Sequence, residues 1–379
     1  MKPRARLRRF DRDSLLLAGV IALVLVAFLR SLSNGFVYDD RGAIVENHLI
    51  GEWSFLWKSM VHRSYWFLDP LHVLHLGILA RYHPLLSVWF GLNYQLFGLW
   101  TPGWHAAAVA GHLMVVWLVY KVGCALTGER RAALLAALLF GVLPVHAEAV
   151  AFVAGFAVVM SAGFELGALY LVMKRADKGW GNLTAALVLY AAALLSHESA
   201  ASFPALVAAY VFLLEPPPAE NSGVLQRLRA ALAVMAPFAV EVLAYLAVRR
   251  LILGFLATDP LNPANEASLE QVLMTMPWVI TAYLGLLLAP WWAGPAHRVM
   301  FVTSPWSPQF YLSVAVLAGV GLAFWLVVRR HPRRLFYLFC AAWMGVAIAP
   351  VVLSLGALLN DHLVHDVYLY MASAGWCIL

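Results

Sequence analysis

Four short stretches of this chain concentrate the side chains able to do acid–base or ligand chemistry. In Tyr38-Asp39-Asp40-Arg41 two carboxylates stand side by side after a long apolar run. Paired carboxylates beside an apolar surface can raise the pKa of one member, which suits it to taking a proton. A helix cap or a turn would use the same residues. Pro144-Val145-His146-Ala147-Glu148 and Ser196-His197-Glu198-Ser199 each set a histidine close to a glutamate where one apolar stretch gives way to the next. There the acid could equally sit in the first turn of the following helix, where the dipole favours it. Asn360-Asp361-His362 with His365-Asp366 gathers further ligand-type residues. A divalent metal is compatible with them, although no spacing is diagnostic, and no other cofactor is indicated. Arg249-Arg250 offers guanidinium forks that grip phosphate oxygens; snorkelling to lipid headgroups is the plainer alternative. Glu165 and Glu241 fall inside apolar stretches, where an acid is either functional or satisfied by a structural partner.

These residues must be positioned by a membrane-embedded framework. Of 379 residues, 63% are hydrophobic and 12% charged. Soluble domains carry about 25% charged residues, so lipid is the outer solvent here. The net charge of +6 comes from basic residues in short loops beside apolar stretches, a membrane-topology signal and not a nucleic-acid one. Cys124, Cys340 and Cys377 lie in apolar segments, with neither metal-ligand nor disulfide spacing. The basic start, Met1 to Arg12, precedes an apolar run that reads as a retained first span and not as a cleaved signal.

Spanning helices are expected at roughly 14–32, 104–126, 131–145, 149–173, 181–196, 199–214, 230–253, 309–328, 335–355 and 367–379. This is an all-α polytopic bundle of about 10–11 spans, forming one membrane unit over 1–379. With the amino end inside, the loops 127–131, 174–181, 215–229 and 329–334 also fall inside and obey the positive-inside rule. The segment 276–290, bracketed by Pro277 and Pro290, is expected to be re-entrant or to lie along the outer interface. A first outer connection, 33–103, holds two amphipathic stretches at about 66–79 and 84–99; a second runs over 254–308. Most histidines and acids then gather at the outer face.

The ordered series of motifs resembles a known family. It comprises Phe36-Val37-Tyr38-Asp39-Asp40-Arg41, Tyr82-His83-Pro84-Leu85, Pro102-Gly103-Trp104-His105 with His112, and Pro144-Val145-His146-Ala147-Glu148-Ala149-Val150. Later come the Tyr283–Pro290 stretch and Tyr368-Leu369-Tyr370-Met371-Ala372-Ser373-Ala374-Gly375. Together these resemble the transmembrane O-mannosyltransferases that act on cadherins and their bacterial relatives, members of the GT-C glycosyltransferase superfamily.

The resemblance implies inverting transfer of a sugar, usually mannose, from a polyprenyl- or dolichyl-phosphate carrier to a hydroxyl acceptor on a protein or a glycolipid. It implies Asp39 as the base, with Asp40 beside it. Arg81, Arg249 or Arg250 would meet the phosphate, and His146 and Glu148 would position sugar or acceptor. Arg41, His83, His105, His197, Glu198, His365 and Asp366 complete the expected substrate-binding set. Partners would be the lipid-linked donor, membrane lipids and the acceptor. The site would face the periplasm of a bacterial inner membrane, or the lumen if the membrane is endoplasmic reticulum. Two family arginines are replaced: Gly155-Phe156 stands for a Gly-Arg pair, and His365-Asp366 for Glu-Arg. The tetratricopeptide repeats of the animal members are missing, and the chain stops inside a span, as a fragment or short form would. A transporter or flippase would instead hold its polar residues at mid-membrane. A non-catalytic GT-C scaffold would tolerate the loss of Asp39.

Overall fold

The structure, a computed structural model, describes residues 12–68, 81–175, 180–216, 223–256, 267–357 and 362–379. In chain order the helices are α1 (Arg12–Phe28, tightening into a 3-10 turn to Ser33), α2 (Trp53–Lys58), α3 (Pro84–Phe97), α4 (Thr101–Thr127), α5 (Arg130–Gly141), α6 (Ala147–Ala151) and α7 (Phe156–Met173). They continue with α8 (Trp180–Ser196), α9 (Phe203–Leu214), α10 (Val224–Leu253), α11 (Leu269–Leu288), α12 (Pro308–Val328), α13 (Arg334–Leu353) and α14 (Tyr370–Ile378). Among the described residues no strand forms; a single antiparallel bridge joins His297 to Val364. The expected amphipathic stretch at 66–79 lies mostly outside the described residues, as do Asn360 and Asp361.

Seven helices are long and apolar enough to cross a membrane: α1 with its 3-10 extension, α4, α7, α10, α11, α12 and α13. The chain is a multi-pass membrane protein with an all-α fold. The expected span at 131–145 is not straight. α5 ends at Gly141, and the Pro144–Ala151 segment leaves it at 55°. Pro144 lacks an amide proton, and Leu143 before it is extended at φ −66°, ψ 123°. Counted as one bent span, this makes eight. Two shorter apolar helices, Trp180–Ser196 and Glu198–Leu214, accompany them; seven or eight candidate spans among the described residues are fewer than the 10–11 expected.

α7 is the central helix, with 61% of its apolar window buried, whereas 11% of the α12 window is buried. Close approach at the centre depends on small residues. Gly141 of α5 faces Val24 of α1 and Val116 of α4; a Cβ there would lie 2.3 Å from Val24 Cγ2. Gly123 of α4 meets Ala133 of α5, and Gly375 of α14 meets the ring of Trp343 of α13. One end of the bundle carries ion pairs between Arg130 and Asp13 at 2.7 Å and between Arg333 and Glu129 at 3.2 Å, and a forked Arg175–Glu215 pair. The other end holds a large cavity.

The segment 276–290 is part of a longer helix than its prolines suggest. α11 starts at Leu269 behind a capping box, in which Ser268 Oγ accepts the Gln271 amide and Gln271 reaches back to Ser268. Pro277 lies inside the helix and does not bracket it. Length and composition let α11 cross a membrane. Thr275 Oγ1 accepts the Val302 amide at 2.8 Å. Val272, Val279, Tyr283 and Leu287 share one apolar cluster with Val145, Leu355, Leu363 and Val364. α11 is therefore a full-length candidate span, longer than the short interfacial segment expected from the sequence.

Candidate active site

The cavity measures about 840 Å³, within the range of pockets that enclose a ligand. Its walls come from the loop after α1, the stretches around Tyr65 and Arg81, the bent α5–α7 connection, the turn before α9, the 293–296 loop and the segment before α14.

The two neighbouring aspartates part company. Asp39 lines the cavity. Asp40 is 0% exposed and turns away from it. Its Oδ2 accepts the Val37 amide at 3.2 Å, and its Oδ1 accepts the Ala154 amide at 2.8 Å. Burial pushes the Asp40 carboxyl up to about 7, although these amides pull it down. Asp40 therefore pins the loop that presents Asp39 onto the start of α7. This corrects the expectation of a catalytic pair: Asp40 has no access to a substrate.

Tyr38 and Tyr65 frame Asp39. Both are non-glycine residues with left-handed backbone, at φ 46° and 61°, a costly conformation that persists where surrounding contacts enforce it. Tyr65 is hydrogen-bonded to the Asp39 side chain, and burial together with the charge of Asp39 keeps its phenol protonated. Among the described residues Arg81 is the one Arg or Lys that lines the cavity. Burial alone would lower its pKa, but Tyr368, Asp39 and Glu198 more than offset this and raise it.

Beside Arg81 lies a compact network. His83 Nε2 is paired with Glu198 Oε2, and Arg249 Nη1 is 3.7 Å from the same oxygen. Arg249 also donates to Leu256 O at 2.9 Å and to Tyr245 Oη at 3.4 Å. Arg249 thus stands behind Glu198, while its neighbour Arg250 is exposed and lines nothing. The rings of His83 and His197 lie 4.9 Å apart. Burial pushes His197 down to about 3, so it is neutral.

His83, His197 and Glu198 bring one ligand atom each within 4.8 Å of one another, the spacing a metal would need. However, His197 Nδ1 accepts the Ser199 amide at 3.2 Å. Its Nε2 therefore carries the proton and offers no lone pair. With Arg249 alongside, the chemistry of this set is that of a hydrogen-bond network.

Across the cavity, Glu148 Oε2 accepts the Val367 amide at 2.9 Å, and Oε1 lies 3.6 Å from His365 Nδ1. Burial opposes the charge on His365, but Glu148 and the Pro295 carbonyl raise its pKa. Asp366 is 2% exposed. It accepts the Gly294 amide and His297 Nε2, each at 2.7 Å. Burial raises the Asp366 pKa, and those two donors pull against the rise.

The cavity thus brings together Asp39, Arg81, His83, Glu148, His197, His365 and Asp366, with Glu198 beside it. Six expected residues fall elsewhere: Asp40 and Arg249 are buried behind the wall, and four lie farther off. Arg41 and Arg250 are exposed away from it. His105 is buried in α4 beneath Asn34 and Gly35. His146 is buried below the floor, 2.8 Å from Ser373 Oγ and packed between Phe140 and Tyr370. Sequence reasoning missed Tyr65 and His297, which sit in stretches with no periodic or paired signal, and it included Tyr368 in a motif without assigning it a place in the site. Phe156, which stands where the resemblance expects an arginine, stacks on Trp89 at 4.3 Å and does not enter the cavity.

No family model matches the chain. It is 36% identical over 208 residues to protein O-mannosyl-transferase Tmtc1 of Drosophila melanogaster, covering 54% of this chain and 24% of that protein. It is 32% identical over 183 residues to TMTC3 of Mus musculus (47% and 19%), and 30% identical over 201 residues to TMTC3 of Homo sapiens (52% and 21%). The chain thus spans about a quarter or less of the curated relatives it matches. Among solved structures, an oligosaccharyltransferase of Archaeoglobus fulgidus aligns at a TM-score of 0.46 and 12% identity, over 96% of this chain and 49% of that one. Over about half its length, then, this chain is similar to part of the protein O-mannosyl-transferases.

Proposed function

We propose that the chain is a membrane glycosyltransferase that moves a sugar, mannose in our reading, from a polyprenyl or dolichyl phosphate to a hydroxyl acceptor. The observation that carries this is one cavity, at one end of a lipid-embedded bundle, lined by both a carboxylate (Asp39) and a half-buried guanidinium (Arg81). Similarity to the O-mannosyl-transferases supports the same class.

In this mechanism Asp39 takes the proton of the acceptor hydroxyl. The acceptor oxygen bonds to the anomeric carbon from the face opposite the phosphate. The carbon–phosphate oxygen bond breaks, and its electron pair leaves with the lipid phosphate. Arg81, with the neutral Nε2–H donor of His197, meets the negative charge that develops there. Glu148 and Asp366 line the wall where sugar hydroxyls would be received. The acceptor is a protein Ser or Thr, or a glycolipid. The described elements work as one unit, with the cavity on the periplasmic or luminal side.

The test is transfer from radiolabelled polyprenyl-phosphate mannose in membranes holding the wild type or Asp39→Asn at equal level. Transfer that vanishes in the variant supports the enzyme and its base. No transfer from any of several lipid-phosphate sugars would end this reading in favour of a scaffold.

A further inference from the structure

Glu165 has no part in that reaction. It sits in the middle of α7, 3% exposed, with the Ser161 hydroxyl donating to its Oε1 at 3.1 Å. A carboxyl enclosed by a membrane span is costly to keep. Burial with a single hydroxyl donor suits the neutral acid better than the bare carboxylate.

Beside Glu165 lies a second cavity of about 20 Å³, where Ser199, Ser202 and Tyr368 join it among apolar side chains. A water needs about 10–15 Å³ and two or more polar partners, so the space suits one. This cavity is directly behind the large one, because Val158, Val367 and Tyr368 wall both. Ser199 is the link. Its amide and its hydroxyl both face His197 Nδ1, at 3.2 and 2.9 Å. Nδ1 accepts, so the Ser199 hydroxyl donates outward and is free to accept from behind, while His197 lines the large cavity.

We propose that one water in the small cavity joins Glu165 to Ser199 and completes a proton relay from the membrane interior to the large cavity. When a group in the large cavity takes the Nε2 proton, the Ser199 hydroxyl proton moves to Nδ1. A water proton replaces it, and the Glu165 proton passes to the water. Each O–H or N–H bond broken is matched by one formed, and Glu165 is left as the carboxylate until the path runs in reverse. The relay does not depend on what the large cavity binds.

The test is infrared hydrogen–deuterium exchange on the full chain in lipid nanodiscs, with D2O as the probe. The wild type should show a protonated-carboxyl band that Glu165→Gln removes. On mixing with D2O that band should shift about tenfold faster than in Ser199→Ala, the cost of one relay hydrogen bond. Ser199→Thr, which keeps the hydroxyl, should restore the fast shift. Ser199→Gly, which likewise lacks the hydroxyl, gives the same comparison should the alanine variant not fold. A band unchanged by Glu165→Gln, or a shift equally fast without the hydroxyl, overturns the relay.

Discussion

Glu148 accepts the backbone N–H of Val367 across 2.9 Å, although 219 positions separate them in the chain. The bond ties the bend after α5 to the segment that enters α14. Two stretches distant in sequence therefore share one wall of the cavity, and the wall holds only while both are in place.

Glu148 also sets the charge on His365. Glu148→Gln should move the His365 titration midpoint down, as followed by histidine NMR, because the carboxylate that raises it is gone. With a raised folded value, the pair stabilises fully below the unfolded histidine pKa and loses that contribution as pH rises through the folded one. The variant should show a smaller loss. Glu148→Ala should cost about 1–3 kcal/mol more, by stripping the Val367 amide of its acceptor. An unmoved midpoint would sink the pairing.

Asp39 and Asp40 should separate cleanly. Asp39→Asn should abolish transfer in a folded protein. Asp40→Ala should cost about 1–3 kcal/mol for the amides it leaves open. The folded carboxyl of Asp40 titrates near 7, against 3.8 for the ordinary group. The folded chain therefore binds more protons between those values. Its contribution is complete below 3.8 and is lost as pH rises through about 7. Thermal unfolding between about pH 5 and about pH 8 should show that fall, and Asp40→Asn should flatten it. Equal loss of transfer in both variants at full stability would contradict the assignment.

The arginine pair gives a similar contrast. Arg249→Ala loses the Leu256 and Tyr245 contacts and should lower stability by about 1–3 kcal/mol. Arg250→Ala, at the exposed position, should stay within about 0.5 kcal/mol. Thermal unfolding of the two variants side by side decides it; equal effects would mean both side chains face the network.

Gly155 has no room for a side chain. A Cβ would lie 2.8 Å from the Glu148 carbonyl oxygen and 3.1 Å from that of Phe152, both backbone atoms. Gly155→Ala should cost about 1–3 kcal/mol through the forced shift, and it should slow transfer by moving Glu148. Unchanged unfolding temperature and unchanged rate would show that the turn relaxes freely.

The sequence made the membrane class, most helices and the motif stretches at the cavity legible, because apolar runs and clustered polar residues are local signals. It could not say which of two neighbours faces inward. Asp39 and Asp40, or Arg249 and Arg250, differ by one step along the backbone, and on a helix that step swings the side chain by about 100°. Tertiary contacts such as the Ala154 amide choose between them. His297 was invisible for a related reason: its partner Asp366 is brought to it by a loop and has no fixed offset in sequence. The length of α11 is readable from the capping box of Ser268 and Gln271, whereas Pro277 alone reads as a boundary.

Phe156 lies flat on Trp89 and presses against Gly111, where any Cβ would come within 2.4 Å of its ring. The identities at 156 and 111 are therefore not independent heritable choices. While the phenyl ring is there, any replacement of Gly111 forces that ring to shift off Trp89; once the ring is lost, the glycine is released to drift. A lineage that lost the ring and then let Gly111 change would find its way back to phenylalanine obstructed, so the order in which such substitutions arise constrains which sequences can follow.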